Sequence, residues 1–322
     1  MTPRGIGLIG LGRHGMRYAR HLLEPLPNAR LVAVCRRDAG QGSVFAAEHG
    51  LKFYRDYREL IADADVQAVV VVTPPSLSRS ICLEAVRARK PILIEKPLAP
   101  TGLEAREMVH AAESAGLPLM TAQTLRFDEA VLALKARRAT VGARRYLVLT
   151  NRVEPRQEVT RNPADYAGRG VLLEIGIHQL DLVRFLTGEE VAEVRCEMDR
   201  ASAGSPESRA LVSLRTTGHL PCIVDVSRVT GGRVCRVEWV GADGQLIADW
   251  VRHQVSQTSA RSGVKEFSVE DRPTVVATLR AFLDALDRGA PMPITGRDGL
   301  RAVEIADACY ESAETGRTVK LG

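Results

Sequence analysis

At 322 residues, 45% hydrophobic and 26% charged, the chain has the composition of a globular protein long enough for two domains. The net charge of +5 favours anionic ligands, but Lys and Arg are scattered and only 4% of residues are aromatic, which argues against a nucleic-acid-binding stripe. No apolar run is long enough to span a bilayer, the six cysteines show neither CxxC nor metal-ligand spacing, and no leader is expected before the first strand, so the expectation is a cytoplasmic protein with no metal.

The first stretch with a chemical meaning begins at once. Ile6, Leu8 and Ile9 predict a short buried strand, and a helix is expected over 16–23. Between them Gly10, Gly12 and Gly15 give the spacing G-x-G-x-x-G. The first glycine permits a tight turn, the second lets a pyrophosphate approach the backbone, and the third lets helix and strand pack closely. Unbonded N–H groups and the helix dipole then favour a phosphate at the helix start, beside Arg13 and His14. His14 is expected to make a local contact there rather than to act as a base.

A second strand over 31–35 ends in Arg36-Arg37-Asp38. In a nucleotide-binding unit this strand end faces the adenosine ribose. An acidic residue there suits NAD, and an arginine suits the 2′-phosphate of NADP. Arg36 and Arg37 therefore favour NADP over NAD, with Asp38 capping the next helix, expected over 43–50. Strand 53–54 and a helical turn over 57–62 follow. The β-branched run 66–72 predicts a central parallel strand, and the Thr73-Pro74-Pro75 loop at its carboxyl end is expected to line the cofactor. Helix 78–89, strand 91–94, helix 101–115 with a Thr101/Glu104 capping box, and strand 117–120 complete the alternation. From 144 onward the pattern changes. Period-two runs at 144–152, 194–196, 209–216, 222–228, 234–240 and 245–249 predict a largely antiparallel open sheet, interrupted by a helix over 172–186. Helices over 275–288 and 297–315 close the chain, and 201–208 is the most loop-like segment.

Gly10-x-Gly12-x-x-Gly15, Thr73-Pro74, Glu95-Lys96-Pro97, Arg126-Phe127 and the segment from Gly168 through Glu174 and His178 to Asp181 resemble the glucose-fructose oxidoreductase/inositol dehydrogenase/rhizopine catabolism (Gfo/Idh/MocA) family. The likeness runs over essentially the whole chain. It implies an α/β fold: a Rossmann doubly wound parallel sheet over 1–122, and over 123–322 an α+β domain with an open, largely antiparallel sheet. The C-terminal helices are expected to pack back onto these domains. It also implies an NAD(P)-dependent oxidoreductase acting on a sugar, polyol or sugar derivative. An open sheet with one uncovered face invites a partner subunit, so a homodimer or homotetramer is expected.

Oxidising a secondary alcohol requires hydride transfer, proton removal and stabilisation of the oxyanion. Lys96, at a strand end, is positioned to polarise the substrate oxygen; the resemblance implies the same role, and the bland alternative is a surface lysine held by Glu95. Glu174 and His178 stand at i and i+4, so a carboxylate can orient an imidazole acting as general base. Glu95 and Gln123 are expected at the cofactor, and Arg126, Arg152, Asp165, Tyr166 and Asp181 at the substrate. Three positions depart from the family pattern: Glu174 where Asp is common, Ser78 where His is frequent, and Arg169 inside a glycine segment, where it is either a clamp for an acidic substrate or an exposed loop residue. No G-x-S-x-G elbow supports a hydrolase. The alternatives are a cofactor-binding regulator without turnover, and an enzyme using bound NAD as an internal redox relay.

Overall fold

The computed structural model describes residues 3–24, 28–155, 162–200, 202, 204–261 and 263–322. They form two compact units, Met1–Gln123 with Val275–Leu300, and Thr124–Thr274 with Arg301–Gly322.

The first unit alternates strand and helix: β1 (Arg4–Ile9), α1 (Gly15–Leu23), β2 (Ala29–Cys35), α2 (Ala39–Glu48), β3 (Lys52–Tyr54), α3 (Tyr57–Ala62), β4 (Ala68–Val71), α4 (Ser78–Arg87), β5 (Ile92–Glu95), α5 (Gly102–Ser114) and β6 (Leu119–Ala122). The six strands are all parallel, in the order β3-β2-β1-β4-β5-β6. The chain winds outward from β1 to β3, then crosses back to lay β4 on the other side of β1. That reversal opens a crevice beyond the carboxyl ends of β1 and β4. Val69, Val70, Val71, Ile92, Leu93 and Ile94 are at most 1% exposed, as continuous apolar strands covered on both faces require. Helix α2 starts four residues earlier than its apolar pattern indicates, because the Asp38 side chain accepts the Gly40 N–H at 3.1 Å and caps it. Thr101 caps α5 by accepting the Glu104 N–H at 3.4 Å.

The second unit contains α6 (Glu129–Arg137), β7 (Arg144–Arg152), α7 (Ile177–Thr187), β8 (Val191–Arg200), β9 (Glu207–Thr216), β10 (Pro221–Ser227), β11 (Val234–Gly241), β12 (Gln245–Asp249), β13 (Gln254–Ser259) and β14 (Gly263–Ser268). Its nine-stranded sheet has the order β14-β13-β12-β11-β7-β10-β9-β8-β15, where β15 is Val319–Lys320. Only the β7–β10 pairing is parallel. Strands β13, β14 and β15 escape sequence reading: β13 is polar and half-buried, with Val255 its one apolar residue, β14 is largely exposed, and β15 has two residues. Residues 201 and 203 of the expected loop lie outside the described residues.

Two further helices follow, α8 (Thr274–Arg288) and α9 (Gly296–Thr315). Residues 275–300 complete the first unit. Thr295 bridges Met120 on the edge strand β6, and a side chain at Gly299 would meet the Thr121 hydroxyl at 2.3 Å. Phe282 is fully buried, and Asn28 donates to Asp287 of α8 at 2.7 Å. All six cysteines are buried and free of disulfides; burial pushes the Cys82 and Cys222 thiols up to about 12. Among the described residues no helix is long and apolar enough to cross a membrane.

Leu93 lies in the middle of β5 with no exposed surface. We expect Leu93→Ala to lower the stability of the protein by about 2–5 kcal/mol, read from urea denaturation.

Candidate functional site

The turn after β1 divides its work among three glycines. Gly10 has φ +102°, and a Cβ there would meet the Val72 carbonyl oxygen at 2.3 Å. A Cβ on Gly15 would lie 1.8 Å from the Gly10 oxygen. Gly12, in contrast, faces open space, with nothing within 4 Å of where its Cβ would be. No side chain caps the start of α1. The Met16 and Arg17 N–H groups are taken within the turn, by the Gly12 and His14 carbonyls at 2.9 and 3.0 Å, so what the helix start offers a phosphate is the positive end of its dipole beside an open backbone.

A cleft of about 920 Å³ opens from this turn. Gly10, Gly12, Arg36, Arg37, Thr73 and Pro74 line it, while Leu77 and Ile81 give it an apolar wall. Arg36 is fixed there: it donates to the Leu11 carbonyl at 2.7 Å and lies 3.7 Å from Asp38. Arg55, Asp56 and Tyr57 also line the cleft. They were not singled out from the sequence, although their position after β3 repeats that of Arg36-Arg37-Asp38 after β2. The residues present fit a dinucleotide: Gly12 and the α1 start would take the diphosphate, and the guanidiniums the ribose end. Arg13 is exposed in the same turn.

His14 points elsewhere. Its Nε2 is 2.8 Å from Glu95 Oε1, and the buried Tyr18 hydroxyl donates to the same oxygen at 2.5 Å. The other oxygen of Glu95 accepts the Lys96 backbone N–H at 3.0 Å. Burial raises the Glu95 pKa, but the contacts from His14, Lys96 and Tyr18 outweigh that and hold the carboxyl below its ordinary value. Burial first, and the Glu95 charge second, push the Tyr18 phenol well above its usual value. Glu95 thus ties α1 to the backbone of the half-buried Lys96. Gln123 is buried at the end of β6, 1% exposed.

In the second unit the expected helix over 172–186 is two elements. Leu172–Gly176 is a π-helical turn, and α7 follows from Ile177. The wider turn changes the angular step between Glu174 and His178; such turns are rare and recur at functional sites. A buried carboxylate anchors it. Glu207, 3% exposed, accepts the Gly170 N–H at 2.7 Å, the Leu172 N–H at 3.0 Å and the Tyr310 hydroxyl at 2.7 Å. Glu174 is bound by Arg228, whose Nη2 donates to its Oε1 at 2.9 Å. Sequence reading missed Arg228, because its partner is 54 residues away.

The residues expected at the substrate are engaged locally. Arg126 grips Asp181 through two hydrogen bonds of 2.7 and 2.6 Å, both residues buried. This pair fastens the 124–127 turn to α7. Arg152 is held by Asp225 at 2.8 Å. Asp165 and Tyr166, half-buried, sit on a short 3-10 helix, Pro163–Tyr166, capped by Asn162. Of the two readings of Arg169, the exposed loop residue does not hold: it pairs with Asp307 and lies 4.5 Å over the Tyr310 ring.

A doubly wound parallel sheet with an open glycine turn and an uncapped helix behind it, followed by an α+β unit, defines the class of dinucleotide-binding oxidoreductases. Residues 4–123 match the oxidoreductase family's NAD-binding Rossmann fold, and residues 143–321 its C-terminal alpha/beta domain. The chain belongs to the Gfo/Idh/MocA family and is an NAD-binding oxidoreductase acting on CH–OH groups. It is 28% identical to myo-inositol 2-dehydrogenase of Thermotoga maritima, covering 98% of each chain. It is 30% identical to 1,5-anhydro-D-fructose reductase of Ensifer adhaerens, covering 90% of this chain and 91% of the reductase. The crystal structure of a probable dehydrogenase from Thermotoga maritima superposes with a TM-score of 0.84 at 28% identity, over 98% of both chains.

Because the Glu95 pKa is lowered in the folded state, its contribution to stability is present at neutral pH. That contribution is lost as the pH falls below the ordinary glutamate value of 4.5 and through the folded value. We expect Glu95→Gln to cost about 1–3 kcal/mol at pH 7. The variant's unfolding temperature, followed by circular dichroism, should fall less steeply than the wild type's as the pH is lowered from 7 to 3.

Proposed function

We propose that this protein is an NADP(H)-preferring oxidoreductase that interconverts a secondary alcohol and a ketone on a sugar, polyol or sugar derivative, with Lys96 and His178 handling the proton. The observation that carries the cofactor reading is the arginine-lined cleft beyond β2, continuous with the open Gly12 backbone. Its two carboxylates already serve as helix caps, Asp38 on α2 and Asp56 on α3. The names of the inositol dehydrogenase and anhydrofructose reductase relatives support a polyol or sugar substrate.

When bound, the dinucleotide supplies an acceptor or donor of hydride at the reacting carbon. The protein's own groups do the rest. The Lys96 ammonium donates to the substrate oxygen and stabilises negative charge there as the hydroxyl proton leaves. The Glu95 carboxylate fixes the Lys96 backbone from behind. His178, on the first turn of α7, takes the proton, and Glu174 sets the charge beside it. Glu174 is itself pinned by Arg228, so the longer side chain found where Asp is common has a defined position. Gln123 and Arg13 serve the cofactor, His14 acts on it only through Glu95, and Arg126, Arg152, Asp165, Tyr166 and Asp181 shape the substrate end. The buried, unoxidised cysteines support a reducing, cytoplasmic setting. The outward face of the nine-stranded sheet, carrying Tyr146 at 43% and Ile223 at 48% exposure, is the surface offered to a second copy of the chain.

Two measurements test this reading. Titrating the protein with NADPH and with NADH, followed by fluorescence, should show tighter binding of NADPH; tighter NADH binding overturns the cofactor preference. With a polyol or sugar substrate found by panel assay, Lys96→Ala and His178→Ala should each lower kcat by a factor of about 10² to 10⁴ with dinucleotide binding retained. Full turnover in either variant removes that residue from the chemistry.

A further inference from the structure

The parallel pairing of β2 and β3 places Cys35 opposite Tyr54. The Arg36 N–H extends that ladder, donating to the Tyr54 carbonyl at 3.2 Å. The next residue after β3, Arg55, therefore emerges beside Arg36 and Arg37 at the same end of the sheet, and all three line one cleft. Their situations differ. Arg36 is tethered to the Leu11 carbonyl and lies within 3.7 Å of Asp38. Arg37 and Arg55 are exposed, and neither forms an ion pair among the described residues. Two carboxylates, Asp38 and Asp56, line the same cleft, and each is directed to a helix start. Asp38 accepts from the Gly40 N–H, and Asp56 accepts from the Arg58 N–H at 2.9 Å and from the Arg58 side chain at 3.4 Å.

Three guanidiniums against two carboxylates leave the cleft with an excess of positive charge, which an added anion would offset. A planar guanidinium fork meets phosphate oxygens two at a time. The only anionic group of a nicotinamide dinucleotide away from the diphosphate is a 2′-phosphate. We infer that Arg55, contributed by the strand after the one that normally supplies ribose contacts, is a 2′-phosphate ligand and a determinant of cofactor choice. Arg36, tethered to the Leu11 carbonyl, and Arg55, after β3, would hold that phosphate between them. This inference rests on the NADP(H) reading above.

The test uses the full-length protein and does not depend on turnover. Wild type, Arg55→Ala and Arg55→Lys are titrated by calorimetry with NADPH, NADH, 2′,5′-ADP and 5′-AMP. Losing one charge-assisted phosphate contact should weaken NADPH and 2′,5′-ADP by about 10- to 100-fold in Arg55→Ala. NADH and 5′-AMP should weaken at least ten times less. Arg55→Lys, which keeps a point charge but not the fork, should lie between. The NADPH affinity of wild type should also fall more steeply with added salt than that of Arg55→Ala. An equal loss for the phosphorylated and unphosphorylated ligands, with an unchanged unfolding temperature, makes Arg55 a general cleft residue and overturns the inference. A wild type that prefers NADPH together with an Arg55→Ala variant of unchanged selectivity overturns the inference alone. A wild type that prefers NADH overturns both it and the reading beneath it.

Discussion

One buried carboxylate holds the working end of the first unit together. Glu95 closes β5 at the point where the chain leaves the sheet, and the donors around it come from separate places: His14 and Tyr18 on the glycine turn and α1, and the backbone of Lys96. A buried, unpaired carboxylate would be costly, so losing these donors would destabilise the end of β5. The constraint couples two features that sequence places eighty residues apart, the phosphate-suited turn and the lysine loop. The glycine turn itself leaves little latitude. Gly10 and Gly15 lie against backbone oxygens where no side chain fits, while Gly12 is left open.

The second unit repeats the device with different residues. Glu207, buried on β9, receives two backbone N–H groups from the start of the π turn and the hydroxyl of Tyr310 on α9. Burial, and then the Glu207 charge, drive the Tyr310 phenol far above its usual pKa, so it stays a donor at any physiological pH. Arg169, stacked on Tyr310 and paired with Asp307, extends the same cluster. In both units the residues nearest to the proposed chemistry sit on short irregular segments, and a buried acid gives each segment a fixed shape.

Much of this was legible in the sequence because it rests on short-range rules. Apolar runs gave β1, β4 and β5. Gly10, Gly12 and Gly15 announced the turn, and Thr101 with Glu104 announced α5. What could not be read depends on partners distant along the chain. Arg228 meets Glu174 and Arg126 meets Asp181 through their side chains, and the Glu207 carboxylate accepts the Gly170 backbone N–H, each pair more than thirty residues apart. Periodicity carries no signal for such pairs. The π turn is hidden for a related reason: a local pattern that suits one long helix is reshaped by Glu207 and by the close packing at Gly170. Strands β13 and β14 lack an apolar face and so lack the alternation that marks a strand. Arg55 was within reach, since it stands after β3 as Arg36 stands after β2.

The first unit is also discontinuous, and this bears on how the chain is made. Strand β6 is an edge of the parallel sheet, and it is covered by residues that follow it by more than 170 positions: Thr295 bridges Met120, Gly296 packs on Leu119, and Gly299 packs on Thr121. During translation β6 leaves the ribosome long before its cover exists. A bare strand edge is a template for pairing with other chains, so the nascent protein carries an adhesive border through the synthesis of its entire second sheet. The two glycines that allow the late segment to lie so close mark where that exposure finally ends.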